Sequence, residues 1–263
     1  MSFHLDHVVI AVHDLQQAMT DYRELGFNPV YGGEHVGGKT HNALIVFEDG
    51  TYLELLAPTS PALLTNVDPN DQTNFMFLFA GGEGLVAFAL GSDNLEADVA
   101  AMELRGVAIM LQPPNGRARP DGQQLAWRSA MLNDGSMLPF FIQDITPRTL
   151  RVPNDPTITT HANGVKMITE LTISTSSLAE SLPYYETLLG EEFNRSAHDG
   201  KVISEPCKLS LIEMDVATHT LSNRAQKTFA VQLSHLTLGT SAPVGKVAEL
   251  DRRLTHNVDL ALI

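Results

Sequence analysis

Leu5–Phe27, LDHVVIAVHDLQQAMTDYRELGF, carries the reading that decides the fold. It opens with a β-branched run and then offers Asp14, whose short side chain can accept from an orphan N–H of a first helical turn. Leu15, Ala18, Tyr22 and Leu25 follow at helical spacing. Gly26 ends the helix, as expected for a left-handed terminal residue. The same order returns at Ile168–Gly190, ITELTISTSSLAESLPYYETLLG, with Ser177 as cap, Leu178, Leu182, Tyr185 and Leu189 as stripe and Gly190 as stop.

Two further copies appear. One starts near Leu85, with a strand at about 85–91, a cap at Asp93 or Asn94, a stripe of Leu95, Val99 and Met102, and a stop at Gly106. The other runs from Phe229 and predicts a helix opening around Pro243 with Val244, Val247, Leu250 and Leu254; it stops at Ile263 before a last hairpin has room. After the helices of the first two copies in chain order, Asp-Gly turns separate apolar runs: HNALIVF-EDG-TYLELLAP from His41 and LAWRSAML-NDG-SMLPFFIQ from Leu125. Asp-Gly between such runs signals a hairpin. Each complete unit therefore reads β-α-β-β-β. The third ends in CKLSLIEM from Cys207.

A lone unit of this kind covers one face of its sheet with a helix and leaves the other bare. Two units side by side curve around a shared hollow. The expected fold is α+β, with tandem βαβββ modules pairing into curved-sheet cups. Residues 1–145 form one domain, from modules at about 3–58 and 84–144. Residues 146–165 are a linker rich in Pro, Asn, Asp and Thr, and 166–263 make a degenerate second cup.

The net charge of −14 and the scattered Lys and Arg give no positive groove for phosphates, so nucleic acid is not an expected partner. No apolar run is long enough for a membrane span. The start, MSFHLDHVVIAV, lacks the marks of a secretory signal, and the single Cys207 forbids an internal disulfide; both fit a cytoplasmic protein. Gly33–Thr40, GEHVGGKT, matches a phosphate-loop pattern by spacing, but the alternating hairpin that follows lacks the helix such a loop needs. These glycines read instead as a rim loop, with His35 and Lys39 near any ligand.

Paired βαβββ units with DHVVIAV-like first strands resemble the vicinal-oxygen-chelate superfamily, which spans glyoxalases, bleomycin-resistance proteins and extradiol dioxygenases. THNALI, TYLELL, GRARPDGQQLAWR and LPFFIQ resemble stretches of its glyoxalase-like domains. The resemblance implies a small-molecule ligand, admits a homodimer, and implies a divalent metal (Zn, Mn, Fe or Ni) on His7 and Glu54. The related positions of the second unit read as Leu85 and Pro139, neither a ligand; the third unit offers Glu170.

Counting the 41–58 hairpin about Asp49-Gly50 sets position 45 opposite 54. It thereby puts His41, Ala43, Ile45 and Glu54 on one face, which the resemblance makes the cup face. By analogy Arg128 points into the cup as an anchor for an acidic ligand. His41, Phe47, Tyr52 and Phe141 are further substrate contacts, and His41 a third ligand. With a metal, the expected chemistry is that of a lyase, isomerase or dioxygenase on a small oxygenated substrate; without one, Glu54 is a general base. The alternative is a non-catalytic binding protein of the bleomycin-resistance type, favoured by aromatic residues and the depleted ligand set.

Overall fold

A computed structural model describes residues 3–65, 67–68, 75–133, 138–195, 199–204, 207–214, 231–241 and 248–263. The first unit runs β1 (His4–Ala11), α1 (Leu15–Glu24), β2 (Val30–His35), β3 (Thr40–Val46) and β4 (Tyr52–Pro58). The second has β5 (Gly84–Gly91), α2 (Leu95–Leu104), β6 (Ile109–Leu111), β7 (Asn115–Ala118), β8 (Gln124–Leu132) and β9 (Phe140–Asp144). A 3-10 helix, Met76–Gly81, joins the two.

Nine strands form one sheet in the order β6-β8-β7-β2-β3-β4-β1-β5-β9, and β8 also pairs with β9. That last pairing closes eight of the strands into a ring, with no free edge between β9 and β8. β1 sits centrally, parallel to β4 and antiparallel to β5. Its side chains alternate between two buried clusters. Val8 and Ile10 meet the helices, while Val9 lines the hollow and Ala11 packs in the apolar cluster around it. Fully burying one large apolar side chain contributes about 1.5–3 kcal/mol, so a strand apolar on both faces is pinned in place.

Asp14 caps α1 by accepting from the N–H groups of Gln16 and Gln17, and Asn94 caps α2 through the N–H of Ala97. The expected stripes are buried, including Leu15, Ala18 and Tyr22 in α1 and Leu95, Val99 and Met102 in α2.

Short helices α3 (Arg148–Arg151) and α4 (Pro156–Thr159) lead to a second sheet. Its strands are β10 (Val165–Thr175), β11 (Asn194–Arg195), β12 (Asp199–Ser204), β13 (Cys207–Glu213), β14 (Val231–Thr240), β15 (Ala248–Glu249) and β16 (Leu260–Leu262), with helix α5 (Leu178–Leu189) between β10 and β11. The order β11-β12-β13-β10-β14-β16-β15 repeats β2-β3-β4-β1-β5-β9-β8 of the first sheet. Ser177 stands at the start of α5 without a side-chain cap bond; Glu213 accepts from the N–H of Leu178 instead.

The fourth unit differs from expectation at its end. β15 and β16 pair antiparallel, so a short final hairpin does form. Leu250 and Leu254 lie in the loop between these strands, not on a helix. Pro243, Val244 and Val247 fall outside the described residues, as do Asp134 and Gly135 of the second Asp-Gly turn. No helix among the described residues is long and apolar enough to cross a membrane.

Candidate functional site

The ring encloses a hollow of about 50 Å³, room for a few water molecules or a small ligand group. The β3–β4 register determines which side chains enter it. Leu44 pairs with Glu54 and Val46 with Tyr52, so the connection is a five-residue loop, 47–51, closed by bonds from Phe47 N–H to Thr51 O and from Gly50 N–H to Phe47 O. This is one residue away from the register that Asp-Gly suggested. A one-residue slip exchanges the faces of a strand. Asn42 and Leu44 therefore share the hollow with Glu54 and Tyr52, and Ala43 and Ile45 pack in the helix-side core.

Four expected contacts are corrected by the same geometry. His41 is directed away from the hollow, its ring edge-on to Tyr31 at 6.0 Å. Phe47 is fully buried in the helix-side core, 5.3 Å from His161. Phe141 packs in that core against Phe3, while its neighbour Phe140 lines the hollow. Arg128 pairs with Glu96 on the outside, and Trp127 and Ser129 take the inner face of β8. His7, Tyr52 and Glu54 do come together.

At the polar wall, His7 Nδ1 lies 2.7 Å from Asp6 Oδ1, and its Nε2 lies 3.4 Å from Glu54 Oε2. His35, expected in a rim loop, ends β2 inside the hollow. Its Nδ1 is 2.9 Å from Thr40 Oγ1 and its Nε2 is 3.7 Å from Glu54 Oε1. Asn42 donates from Nδ2 to Glu54 Oε1 at 2.6 Å, and its buried Oδ1 has no partner among the described residues. Burial alone would raise the Glu54 carboxyl, but the bond and charge of His7, the charge of His35 and the Asn42 bond bring it down to about 2. Burial depresses His7, yet Asp6 and Glu54 outweigh this and hold it above the usual histidine value. For His35 burial prevails over the attraction of Glu54, and the imidazole is held below that value.

Beneath this wall lies an ion network that the sequence reading treated as linker. Asp6 sits at a register shift between Leu5 and His7 in the β1–β5 ladder, and Asp6 and His7, consecutive in the strand, both reach polar partners. Arg151 of α3 donates to Asp6 Oδ1 and Oδ2 at 2.8 and 2.9 Å, to Asp144 at 2.6 and 2.8 Å, and to the Tyr52 hydroxyl at 2.7 Å. Arg148 adds a bond to Asp6. Burial raises the Asp6 carboxyl, but the charge and bonds of Arg151 and His7 hold it well below the usual range. Tyr52 stacks on His7 at 4.6 Å, which fixes the plane of the imidazole.

The opposite wall is apolar, made by Phe75, Leu78, Trp127, Phe140 and Ile142. Comparing the β5–β9 pairing with β1–β4 shifts the unit-two counterparts of His7 and Glu54 from Leu85 and Pro139 to Ala87 and Phe140. Neither is a metal ligand. Glu170, the third-unit counterpart of His7, belongs to the second sheet, where Lys208 pairs with it at 3.2 Å.

Arg117 of β7 also reaches the hollow, beside Gly32. A Cβ at Gly32 would run into Asn42 Oδ1 and come within 3.4 Å of Arg117 Cζ. Gly32→Ala is therefore expected to cost about 1–3 kcal/mol, lowering the melting temperature by roughly 3–10 °C in a calorimetric scan. An unchanged transition would show that these groups are not packed as described.

This ring and hollow place the chain in a family. Residues 5–189 match the model of the glyoxalase-like domain, and the chain belongs to that family. A hypothetical protein from Staphylococcus aureus superposes with a TM-score of 0.75 at 13% identity, over 99% of both chains. A mutant 4-hydroxymandelate synthase from Streptomyces coelicolor gives 0.59 at 13% identity, over 93% of this chain and 73% of that one. A fusion of a xylose isomerase-like TIM barrel with 4-hydroxyphenylpyruvate dioxygenase gives 0.54 at 14%, over 92% of this chain and 37% of that one. Identities this low show a shared fold. No curated protein matches the chain.

Proposed function

We propose that the hollow is the active site of a metal-assisted enzyme acting on a small oxygenated molecule, by lyase, isomerase or dioxygenase chemistry. The observation that carries this reading is the arrangement of two imidazoles about one carboxylate. His7 donates from Nδ1 to Asp6 and so, as a neutral ring, turns an Nε2 lone pair toward Glu54 at 3.4 Å; His35 Nε2 faces the other oxygen at 3.7 Å. The His7 lone pair facing a carboxylate needs a proton or a cation between them. Among the described residues no three His, Cys, Asp or Glu side chains already converge as a metal site. The donor types nonetheless fit a divalent ion: two imidazoles and a carboxylate, each imidazole tied back through its other nitrogen. His7, His35 and Glu54 would hold the ion, and its chemistry would be Lewis-acid polarisation of a substrate oxygen. Asp6 and Thr40 orient the rings, and the apolar wall keeps water from the reacting end.

Adding Mn²⁺, Zn²⁺, Fe²⁺ or Ni²⁺ at about 100 times its dissociation constant is expected to raise the melting temperature by roughly 5–10 °C. His7→Ala, His35→Ala and Glu54→Gln should each remove that rise. A wild-type transition indifferent to all four ions would defeat the reading.

The alternative is a binding protein that sequesters a metabolite or antibiotic. Ala87 and Phe140 at the positions related to His7 and Glu54, Phe140 in the apolar wall and Ala87 in the apolar cluster behind it, favour it. It predicts no response to ions and ligand binding that survives His7→Ala.

A further inference from the structure

Arg117 stands apart from the other cations of the ring. It is 3% exposed and lines the hollow. Its guanidinium makes two hydrogen bonds, both to backbone carbonyls: Nη1 to Gly32 and Nη2 to Arg151, the latter at 3.1 Å. A guanidinium carries five N–H donors, so most of its donor capacity is left over. No carboxylate among the described residues lies within ion-pair distance of it.

The neighbouring charges are already committed. Arg151 is neutralised by Asp6 and Asp144, and Arg119 pairs with Asp121 at 3.0 Å. Glu54 is taken up by His7, His35 and Asn42. A buried cation without a counter-ion is costly, and a fold does not hold one merely for packing. Burial depresses the guanidinium somewhat, with Tyr52 and Glu54 opposing, but it stays charged at neutral pH.

We propose that Arg117 is the substrate anchor of the hollow and that the ligand is a small carboxylate with an apolar body. This rests on the reading of the hollow as a small-molecule site and narrows it to a substrate class. The planar fork suits a planar carboxylate, which can accept two parallel bonds. The apolar body lies against Trp127, Phe140 and Ile142, and the oxygenated carbon is turned toward His7 and Glu54. Arg128, the arginine that sequence register favoured, has no part in this, because it faces Glu96 outside.

Trp127 is the single tryptophan of the chain and lines the hollow, so its emission reports occupancy directly. Butyrate and its uncharged analogue butyramide, titrated at pH 7 with Trp127 fluorescence and melting temperature as readouts, separate the outcomes. Wild-type protein should bind butyrate about 10–100-fold more tightly than butyramide. Arg117→Met should erase that preference, Arg117→Lys should keep part of it, and Arg128→Ala should leave it intact. Equal affinity for acid and amide in the wild type, or a preference that survives in Arg117→Met, overturns the anchor but leaves the hollow a binding site. If neither compound moves either readout, the anchor and the small-molecule reading fall together. The wild-type comparison needs no variant, so a poorly folding Arg117→Met does not shield the proposal.

Discussion

Asp6→Asn should lower the melting temperature by roughly 6–20 °C, the thermal equivalent of the 3–5 kcal/mol lost when one partner of a buried ion pair is removed. The substitution keeps shape and changes charge, so packing loss does not explain the result. Asp6 is 1% exposed and receives bonds from Arg151, Arg148 and His7. Neutralising it leaves the buried Arg151 with Asp144 alone. A double-mutant cycle with Arg151→Met isolates the coupling, since removing both charges should recover part of the loss. The same change replaces the carboxylate that orients the His7 ring by a neutral amide, and on the proposed metal-binding reading ion affinity should fall about 10–100-fold, as expected when the outer partner of an imidazole ligand is weakened. A calorimetric transition within 1 °C of wild type would show that Asp6 does not bind this network together.

Much of the fold could be read from local signals. Asp14 and Asn94 cap their helices, Gly26, Gly106 and Gly190 take positive φ at the helix ends, and the stripes of α1, α2 and α5 are buried as their spacing requires. These features depend on neighbours within a few residues. The repeat then supplied the topology, because each unit needs a partner to cover its bare sheet face.

What sequence could not provide was register. Asp49-Gly50 marked a turn but not its length, and the five-residue loop reversed the faces of β3 relative to β4. That single slip brought in His41 and Arg128 and left out Asn42 and Trp127. The glycines of GEHVGGKT make His35 read as part of a loop; Gly37 and Gly38 do form the turn, while Gly32 and Gly33 belong to β2 and allow its close approach to Asn42 and Ala118. Arg148 and Arg151 were hidden in a segment that composition marked as linker. Two arginines three apart in a chain of net charge −14 were the available sign that something acidic nearby required them. Arg117 lies within GRARPDG, where nothing local distinguishes it from Arg119 or Arg128.

In chelator-treated protein, Glu54→Gln should shift stability in a way that depends on pH. The Glu54 carboxyl lies at about 2, against 4.5 for an ordinary glutamate. A depressed acid contributes fully above its unfolded value and loses that contribution as pH falls toward 2. His7 is raised above 6.5, so its contribution is complete below 6.5 and is lost as pH rises through its folded value. The two shifts describe one interaction between a carboxylate and an imidazolium, and their energies are not summed. Wild type should therefore exceed Glu54→Gln most between pH 4.5 and 6.5, by on the order of 3 kcal/mol, with the gap narrowing on both sides. His35 works against this pattern, because its depressed imidazole gives stability above 6.5 that is lost as pH falls through its folded value. Melting curves of both proteins across pH 3–9 would decide it: a difference that stays flat over that range means that Glu54 and His7 do not form a charged pair in the metal-free protein.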